Sequence, residues 1–255
     1  MIKMPLQNTK ELIKQVYYPL KTLLYQLNRR TRDELDELNN KYADKRCFII
    51  GNGPSLEYSD LTKLQNEYCF ACNSIYKAFH YTDWRPSFYI VTDRKFKRNN
   101  LEAISQITSK FKFVENFCLF PCIESRNDTL EINVDHRSFY KLRRKCGCLP
   151  FSNKPSKRLI AGGTVIYVSI QLALHLGFKE IYLIGVDHNY KTDKKHFYDE
   201  SAKKASADIE KMTDAYRTAN IVSLNLGCKI YNATRGGELN EFERIEFDKL
   251  VLPDN

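Results

Sequence analysis

A turn of small residues is the first segment of this chain that could do chemistry. Gly51-Asn52-Gly53-Pro54-Ser55-Leu56 follows a short apolar run. Its glycines allow positive φ angles and a close backbone approach to a ligand, and Ser55 can cap a helix or donate a hydrogen bond to phosphate. The segment matches neither the dinucleotide fingerprint nor the phosphate loop that ends in Gly-Lys-Ser/Thr. We interpret it as a nucleotide-binding turn, with an ordinary βα turn as the alternative.

Polar residues also close three later strand-like runs. Asn73 ends one run, Thr92 and Asp93 end the next, and Asp187 and His188 end a third. Because the carboxyl ends of parallel strands meet at one edge of a sheet, we expect these side chains to converge there. Asp187 is placed to meet ribose hydroxyls or a metal ion. Each residue could instead be a simple turn former.

A second small-residue turn precedes a helix-like segment. Arg158 stands before Gly162-Gly163-Thr164. A guanidinium group suits a carboxylate or a phosphate in a bidentate pair, so Arg158 is a candidate ligand for a phosphate. The alternative is a solvated arginine beside a helix cap.

One histidine lies in a polar loop. An imidazole titrates near neutral pH, so His196 is a candidate to take a proton from an attacking hydroxyl, with a bystander role as the alternative. The phenols of Tyr190 and Tyr198 could donate hydrogen bonds to a departing phosphate. Three other histidines do not lie in a polar loop of this kind: His80, His136 and His175.

The elements that must position these residues alternate along the chain from Lys45. The strand-like runs are Cys47–Ile50, Cys69–Asn73, Phe88–Thr92, Glu180–Gly185 and Cys228–Asn232. Helix-like spacing covers Leu101–Ser109 and Thr164–Leu176 and the region around Asp208–Arg217. This order predicts an α/β fold with a doubly wound, mostly parallel, Rossmann-like sheet. Residues 122–157 are predicted to be a weakly patterned insertion that could overhang the site.

The N-terminal segment differs from the rest, which predicts a basic amphipathic helical segment over 1–45 and a catalytic domain over 46–255. Residues 1–32 hold seven Lys or Arg against one Glu, and Pro19 is expected to kink or interrupt the helix. The apolar run is shorter than the ~18–20 residues of a membrane span. We therefore expect the segment to lie on an anionic membrane surface or to dock on the domain or on a second subunit.

Composition limits the classes of partner and compartment. The net charge of +9 is spread along the chain, which suits an anionic ligand or membrane, and no nucleic-acid-binding motif is present. With no signal peptide recognised, the eight cysteines are expected to be reduced thiols of a cytoplasmic protein. Peripheral attachment at the inner membrane is the accompanying expectation for its location. Three close pairs could in principle assemble a zinc site, but Cys69 and Cys72 lie in a strand-like run, so no metal is predicted. The pairs are Cys69 and Cys72, Cys118 and Cys122, and Cys146 and Cys148.

The motifs resemble two related groups of proteins. The Gly51–Leu56 turn, Asn73, Arg158 and Lys179–Asp187 resemble bacterial sialyltransferases that use CMP-activated sialic acid. Gly185–Asn189 and Ile230–Gly237 resemble more closely the MptE-like family, formerly a domain of unknown function. That family includes an archaeal 6-hydroxymethylpterin pyrophosphokinase and domains of flagellin-modifying glycosyltransferases. The similarity covers about residues 46–245.

The resemblance implies roles for several residues. In the sialyltransferases the corresponding turn and strand-end asparagine hold the cytidine nucleotide, which carries over to Asn52–Ser55 and Asn73. Their arginine before the glycine turn corresponds to Arg158. Their catalytic histidine has His196 as its nearest counterpart, although the spacing to the next helix differs, so His188 is a reserve candidate.

The implied reaction is transfer of an acidic sugar from a CMP-activated donor to a cell-surface glycan hydroxyl, with no metal required. One alternative is a diphosphokinase that uses ATP and Mg²⁺ on a pterin-like alcohol, with Asp93 and Asp187 as metal ligands. Another is a non-catalytic module that binds a nucleotide or a glycan. A homo-oligomer is compatible with each.

Overall fold

A parallel β-sheet forms the centre of the molecule. The computed structural model describes residues 6–27, 29–115, 128–189, 196–198 and 208–251. Within these residues the strands are β1 (Arg46–Ile50), β2 (Cys69–Cys72), β3 (Phe88–Val91), β4 (Phe111–Glu115), β5 (Thr129–Ile132), β6 (Val134–Asp135), β7 (Leu159–Ile160), β8 (Glu180–Ile184), β9 (Lys229–Asn232) and β10 (Glu243–Arg244). Eight of them form one sheet in the order β10-β9-β8-β1-β2-β3-β4-β5, and β6 pairs with β7 separately. The described pairings are all parallel.

Helices cover both faces of this sheet. They are α1 (Leu6–Leu27), α2 (Arg29–Glu37), α3 (Tyr58–Lys63), α4 (Arg94–Asn99), α5 (Leu101–Gln106), α6 (Tyr140–Cys146), α7 (Val165–His175), α8 (Ile209–Asn225) and α9 (Phe247–Leu250), with a 3₁₀ helix over Asn73–His80. Because successive strand residues point to opposite faces, Cys47 and Ile49 enter the core under α2, α7 and α8, whereas Phe48 and Ile50 enter the core under α3, α5 and α9. The predicted doubly wound α/β fold is confirmed.

The chain changes direction in the sheet between β1 and β8. From β1 the sheet proceeds through β2 to β5 on one side, and the chain then returns so that β8, β9 and β10 add on the other side. β1 and β8 pair in register from Arg46 and Glu180 to Ile50 and Ile184. The helices that follow these two strands lie on opposite faces of the sheet, α3 after β1 and α8 after β8. The carboxyl ends of β1 and β8 therefore form the switch point, the usual ligand position in open α/β sheets.

Helix α1 continues through Pro19, so the predicted interruption is wrong. Pro19 is exposed, where water can satisfy the backbone carbonyl that loses its partner. One face of α1 docks on the domain through buried Lys21 and Tyr25, whose hydroxyl donates to Glu131 O at 2.8 Å. The opposite face exposes apolar side chains: Leu12, Ile13, Val16, Leu20, Leu23, Leu24 and Leu27. Attachment of that face to an anionic membrane stays a prediction. No described helix combines the length and apolar content that crossing a membrane requires.

The segment predicted as a weakly patterned insertion carries regular structure. Its residues 128–157 contain β5, which extends the main sheet beyond β4, and also β6 and α6. β5 is short and pairs on one side, so its half-buried pattern gives a weak signal in sequence. Residues 116–127 lie outside the described part of the chain.

The cysteines fall into two groups. Cys146 and Cys148 form a disulfide, so the prediction of reduced thiols is wrong for this pair: the left-handed turn at Gly147 brings the two sulfur atoms together. Cys47, Cys69, Cys72 and Cys228 are buried thiols. Burial raises the pKa of Cys72 to about 12, which keeps its sulfur protonated and inert. The described residues hold no cluster of three side chains suited to a metal ion, and Cys118 and Cys122 lie outside them.

Candidate functional site

A cavity of about 820 Å³ lies at the carboxyl edge of the sheet, at the crevice between β1 and β8. Turns that are far apart in sequence meet in its wall. The residues singled out from sequence that line it are Gly51, Asn52, Gly53, Pro54, Asn73, Thr92, Asp93, Gly163, Thr164, Asp187, His188 and His196. The structure therefore brings together the turns after β1, β2, β3 and β8 and the turn before α7.

Some of the other candidates lie behind this wall or away from it. Arg158 is outside the lining, and its Nη1 lies 3.5 Å from the buried Asp135 carboxylate, which draws the guanidinium toward β6. Gly162 packs against Tyr167, where a Cβ atom would come within 2.3 Å of the ring. Tyr190 lies outside the described residues.

The two glycines of the first turn serve a contact within the chain. Neither Gly51 nor Gly53 uses the positive φ that a glycine allows. Their missing side chains let the turns after β1 and β8 pack together: a Cβ at Gly51 would lie 2.2 Å from Gly185 O, and a Cβ at Gly53 would lie 1.8 Å from Asp187 Oδ2. The Gly53 amide also donates to Gly185 O at 2.8 Å. The space left by the missing side chains, which was expected to admit a ligand, is thus occupied by Gly185 and Asp187 of the neighbouring turn.

Asp187 is held by the neighbouring turn. Ser55 Oγ donates to Asp187 Oδ2 at 2.9 Å, so Ser55 supports this carboxylate, and the N-cap of α3 is Glu57 instead. Burial raises the pKa of Asp187, and the hydrogen bond from Ser55 opposes part of that rise. Burial therefore disfavours the ionised form of this carboxylate, because ionisation in the site gives up contact with water.

Asp187→Asn should change how stability depends on pH. Because the folded protein raises the pKa of Asp187, it holds a proton that the unfolded chain releases, and stability falls as pH rises from the ordinary aspartate pKa through the raised one. The variant lacks this loss, so its free energy of unfolding relative to wild type should increase across that range and then level off. Urea unfolding from about pH 4 to pH 8 measures this. Asp83→Asn, at an exposed aspartate, is the control, and a pH-independent difference for Asp187→Asn would contradict the expectation.

Two asparagines in the cavity wall have unusual surroundings. Asn52 Nδ2 donates to Cys72 O at 3.1 Å, and Asn73 takes a left-handed backbone with φ of 46°, fixed by the Tyr89 hydroxyl on its carbonyl oxygen at 2.6 Å. The side-chain oxygens of Asn52 and Asn73 are buried, and neither has a hydrogen-bond partner among the described residues. Buried polar atoms in proteins rarely lack a hydrogen-bond partner, and strained backbone conformations are concentrated at functional sites. Both features therefore indicate that this wall is a candidate binding surface.

The two candidate bases differ in their settings. His196 lies in the cavity wall beside Phe197, whose amide donates to Asn52 O at 3.0 Å, and its ring stacks on Tyr198 at 5.1 Å. Lys77 Nζ lies over the Tyr198 ring, 3.8 Å from the ring centroid. His188 is buried, and its Nε2 lies 3.0 Å from Thr213 Oγ1. Burial lowers the pKa of His188, which favours a neutral imidazole.

Sequence reasoning missed several residues of the wall. His136 lines the cavity, although its sequence neighbours gave no sign of it, because its partner Glu115 lies 21 residues away. The cations that line the cavity are Arg94, Lys95 and Lys211. The first two follow Asp93 directly, so a basic pair after a strand end could have been noticed. Tyr17 and Tyr18 of α1 also contribute, which makes the N-terminal helix part of the site.

The site as a whole combines basic groups with two carboxylates and several imidazoles at the end of a parallel sheet. Such a wall can hold a phosphorylated ligand and move a proton. A family model described as 6-hydroxymethylpterin diphosphokinase MptE-like matches residues 21–193. That match covers about two thirds of the chain, from the middle of α1 to just beyond β8. No curated protein matches the chain.

Proposed function

Because the chain belongs to the MptE-like family, we propose that it is a transferase that binds a nucleotide in the cavity between β1 and β8 and passes an activated group to a hydroxyl. The convergence of five separate turns on one cavity at the switch point of the sheet carries this proposal. The cavity volume of about 820 Å³ lies in the usual range for small-molecule and cofactor sites.

The nucleotide occupies the wall formed by Asn52, Gly53, Pro54 and Asn73. The buried amide oxygens of Asn52 and Asn73 support this placement, because a bound base or ribose supplies hydrogen-bond donors that the described residues do not. Arg94, Lys95 and Lys211 line the same cavity and provide positive charge for the phosphates.

The first candidate reaction is transfer of an acidic sugar from a CMP-activated donor to a glycan hydroxyl. The basic residues of the wall favour it, because cations already in place stabilise the negative charge that develops on a departing phosphate. The turn and strand-end motifs that resemble sialyltransferases point to the same donor.

The second candidate is diphosphate transfer from ATP to an alcohol of the 6-hydroxymethylpterin kind, which the description of the family model favours. Asp93 and Asp187 line the cavity and would hold Mg²⁺, which binds one or two carboxylates together with substrate phosphates. Both carboxylates are oriented: Asp93 Oδ1 accepts from the Phe96 amide at 2.7 Å and Asp187 Oδ2 accepts from Ser55. The metal would neutralise phosphate charge there.

Nucleotide binding is the first test of the proposal. We expect CMP to raise the melting temperature of the protein, with a stabilisation of about 2.7 kcal/mol at a hundred times its Kd. The measurement is thermal unfolding with CMP, UDP, GDP or ATP, each with and without Mg²⁺, followed by calorimetry. Asn52→Ala should weaken binding, whereas Asn240→Ala at an exposed asparagine should not.

The outcomes separate the candidates. A shift with ATP that requires Mg²⁺ favours diphosphate transfer over sugar transfer. Binding of a nucleotide with no product from CMP-N-acetylneuraminic acid or from Mg-ATP, across a panel of acceptor alcohols, favours a non-catalytic module. No shift with any of the four nucleotides would overturn the proposed function.

A further inference from the structure

A buried carboxylate, Glu115, contacts one of the residues that line the cavity, His136. Glu115 ends β4 and has no exposed surface. Its Oε1 accepts from Lys21 Nζ at 2.7 Å, and its Oε2 lies 2.7 Å from His136 Nε2. A buried charge needs such partners, and the buried ammonium group of Lys21 balances the charge of Glu115.

This contact determines which nitrogen of His136 carries the proton. An ionised carboxylate only accepts hydrogen bonds, so Nε2 of His136 must donate. In the neutral ring the lone pair then lies on Nδ1, and the carboxylate can stabilise the imidazolium that forms when Nδ1 takes a proton. A carboxylate plays this part toward histidine in hydrolase triads, with the two ring nitrogens exchanged.

His136 contacts Glu115 at the end of β4, and two strands separate β4 from the strand that precedes the Gly51–Pro54 turn. β2 and β3 lie between β1 and β4 in the sheet, which places the ends of β1 and β4 about 14 Å apart. His136 nevertheless lines the same cavity, next to Tyr17 and Tyr18 of α1. The Tyr18 ring lies 6.0 Å from the His136 ring, and burial, followed by Glu115, raises the pKa of Tyr18, so its phenol stays neutral.

We propose that Tyr17, Tyr18 and His136 form the subsite for the acceptor alcohol, with His136 as the base that deprotonates its hydroxyl. This inference rests on the proposed function, which supplies the donor. Nδ1 takes the hydroxyl proton while the acceptor oxygen bonds to the transferred group. The bond from that group to the phosphate oxygen of the donor breaks, and the nucleotide leaves with the electron pair. The acceptor is an alcohol with a ring face that can lie against the two phenols, such as a sugar.

His136→Gln is the main test, because this side chain is partly exposed and its loss leaves the Lys21–Glu115 pair intact. The variant should bind CMP within about twofold of wild type but release CMP from CMP-N-acetylneuraminic acid about 10²–10⁴-fold more slowly, with water or lactose as acceptor. The acidic limb of the pH profile of kcat/KM should disappear. If ATP is the nucleotide that binds, AMP release from Mg-ATP is measured instead. His80→Gln, at an exposed histidine, is the control.

A second measurement does not depend on turnover. In protein labelled with ¹⁵N-histidine, long-range ¹⁵N–¹H correlation should show His136 as a neutral ring with its proton on Nε2. His175 should give a second such signal, because its Nε2 lies 2.8 Å from Leu35 O, so the His136 signal is identified as the one that is absent in His136→Gln and shifted in Glu115→Gln. Glu115 is a positioning residue, so Glu115→Asp should restore part of the rate that Glu115→Gln loses.

The failures of the two proposals differ. A proton on Nδ1 of His136, a wild-type rate in His136→Gln, or equal loss of CMP binding and rate would overturn the acceptor subsite. A wild-type protein that binds nucleotide but releases no product would also contradict the assignment of His136 as the base. Absence of nucleotide binding in wild type would overturn the proposed function itself.

Discussion

Gly53→Val is expected to raise the Kd for the nucleotide about 10–100-fold or more. A Cβ atom at this position would lie 1.8 Å from Asp187 Oδ2 and 2.6 Å from Gly185 O, so the turns after β1 and β8 must separate. Overpacking of this kind costs about 1–3 kcal/mol, and each 1.4 kcal/mol of lost binding energy is a factor of ten in Kd. Separation also breaks the hydrogen bond from the Gly53 amide to Gly185 O. Calorimetry with CMP or ATP measures the effect.

The matched control is Gly236→Ala. A Cβ atom there would meet nothing within 4 Å, although φ is 66°, so the variant should lose about 1–2 kcal/mol of stability and keep its nucleotide affinity. Circular dichroism and the unfolding midpoint establish that both variants fold. A folded Gly53→Val protein with wild-type affinity would show that the joined turns do not shape the binding wall.

Lys21→Met is expected to lower the free energy of unfolding by about 3–5 kcal/mol. The Lys21 and Glu115 side chains are 1% and 0% exposed, so removal of the ammonium group leaves a buried carboxylate with too little compensation. Lys21 Nζ also donates to Val134 O at 3.1 Å, and that acceptor would lose a partner. Urea unfolding at neutral pH gives the difference in free energy.

The chain offers a surface ion pair as the control. Lys249 and Glu246 lie 3.0 Å apart, with side chains 70% and 71% exposed, so Lys249→Met should cost at most about 1 kcal/mol. The double variant Lys21→Met, Glu115→Gln should recover part of the stability, because it removes the uncompensated charge. Equal small losses for Lys21→Met and Lys249→Met would show that the buried pair contributes little.

Local patterns in the sequence were enough for β1, β2, β3, β8 and β9 and for their parallel arrangement, whereas β4 and β5 of the same sheet were not predicted. The continuous apolar run Cys47–Ile50 predicted a strand buried on both faces, since a parallel sheet covered by helices excludes water from both. Helix-like spacing over Thr164–Leu176 predicted α7, which spans Val165–His175, and Thr164 Oγ1 accepts from the Ile166 amide at 3.2 Å. Such signals lie within a few residues of the feature they predict, so they can be found without tertiary contacts.

The convergence of strand-end residues followed from the same reasoning. Parallel strands must end at one edge, so Asn52, Asn73 and Asp187 were expected to meet, and all three line the cavity. Their roles toward a nucleotide stay predictions.

Only the tertiary structure decided which side chains touch. Glu115 and Lys21 are 94 positions apart in the chain, so no local sequence pattern predicted the ion pair that contacts His136. The Arg158 guanidinium lies near Asp135, and Gly51 and Gly53 are needed for close packing against Gly185 and Asp187 in the turn after β8. Hydrophobic spacing specifies which face of an element is buried. The role of a buried charge or of a glycine, in contrast, depends on residues that are distant in sequence and are brought into contact by packing. The sequence alone therefore determined the strands around β1 and β8 and the functional edge of the sheet, and packing across the fold decided how the wall of the cavity is built.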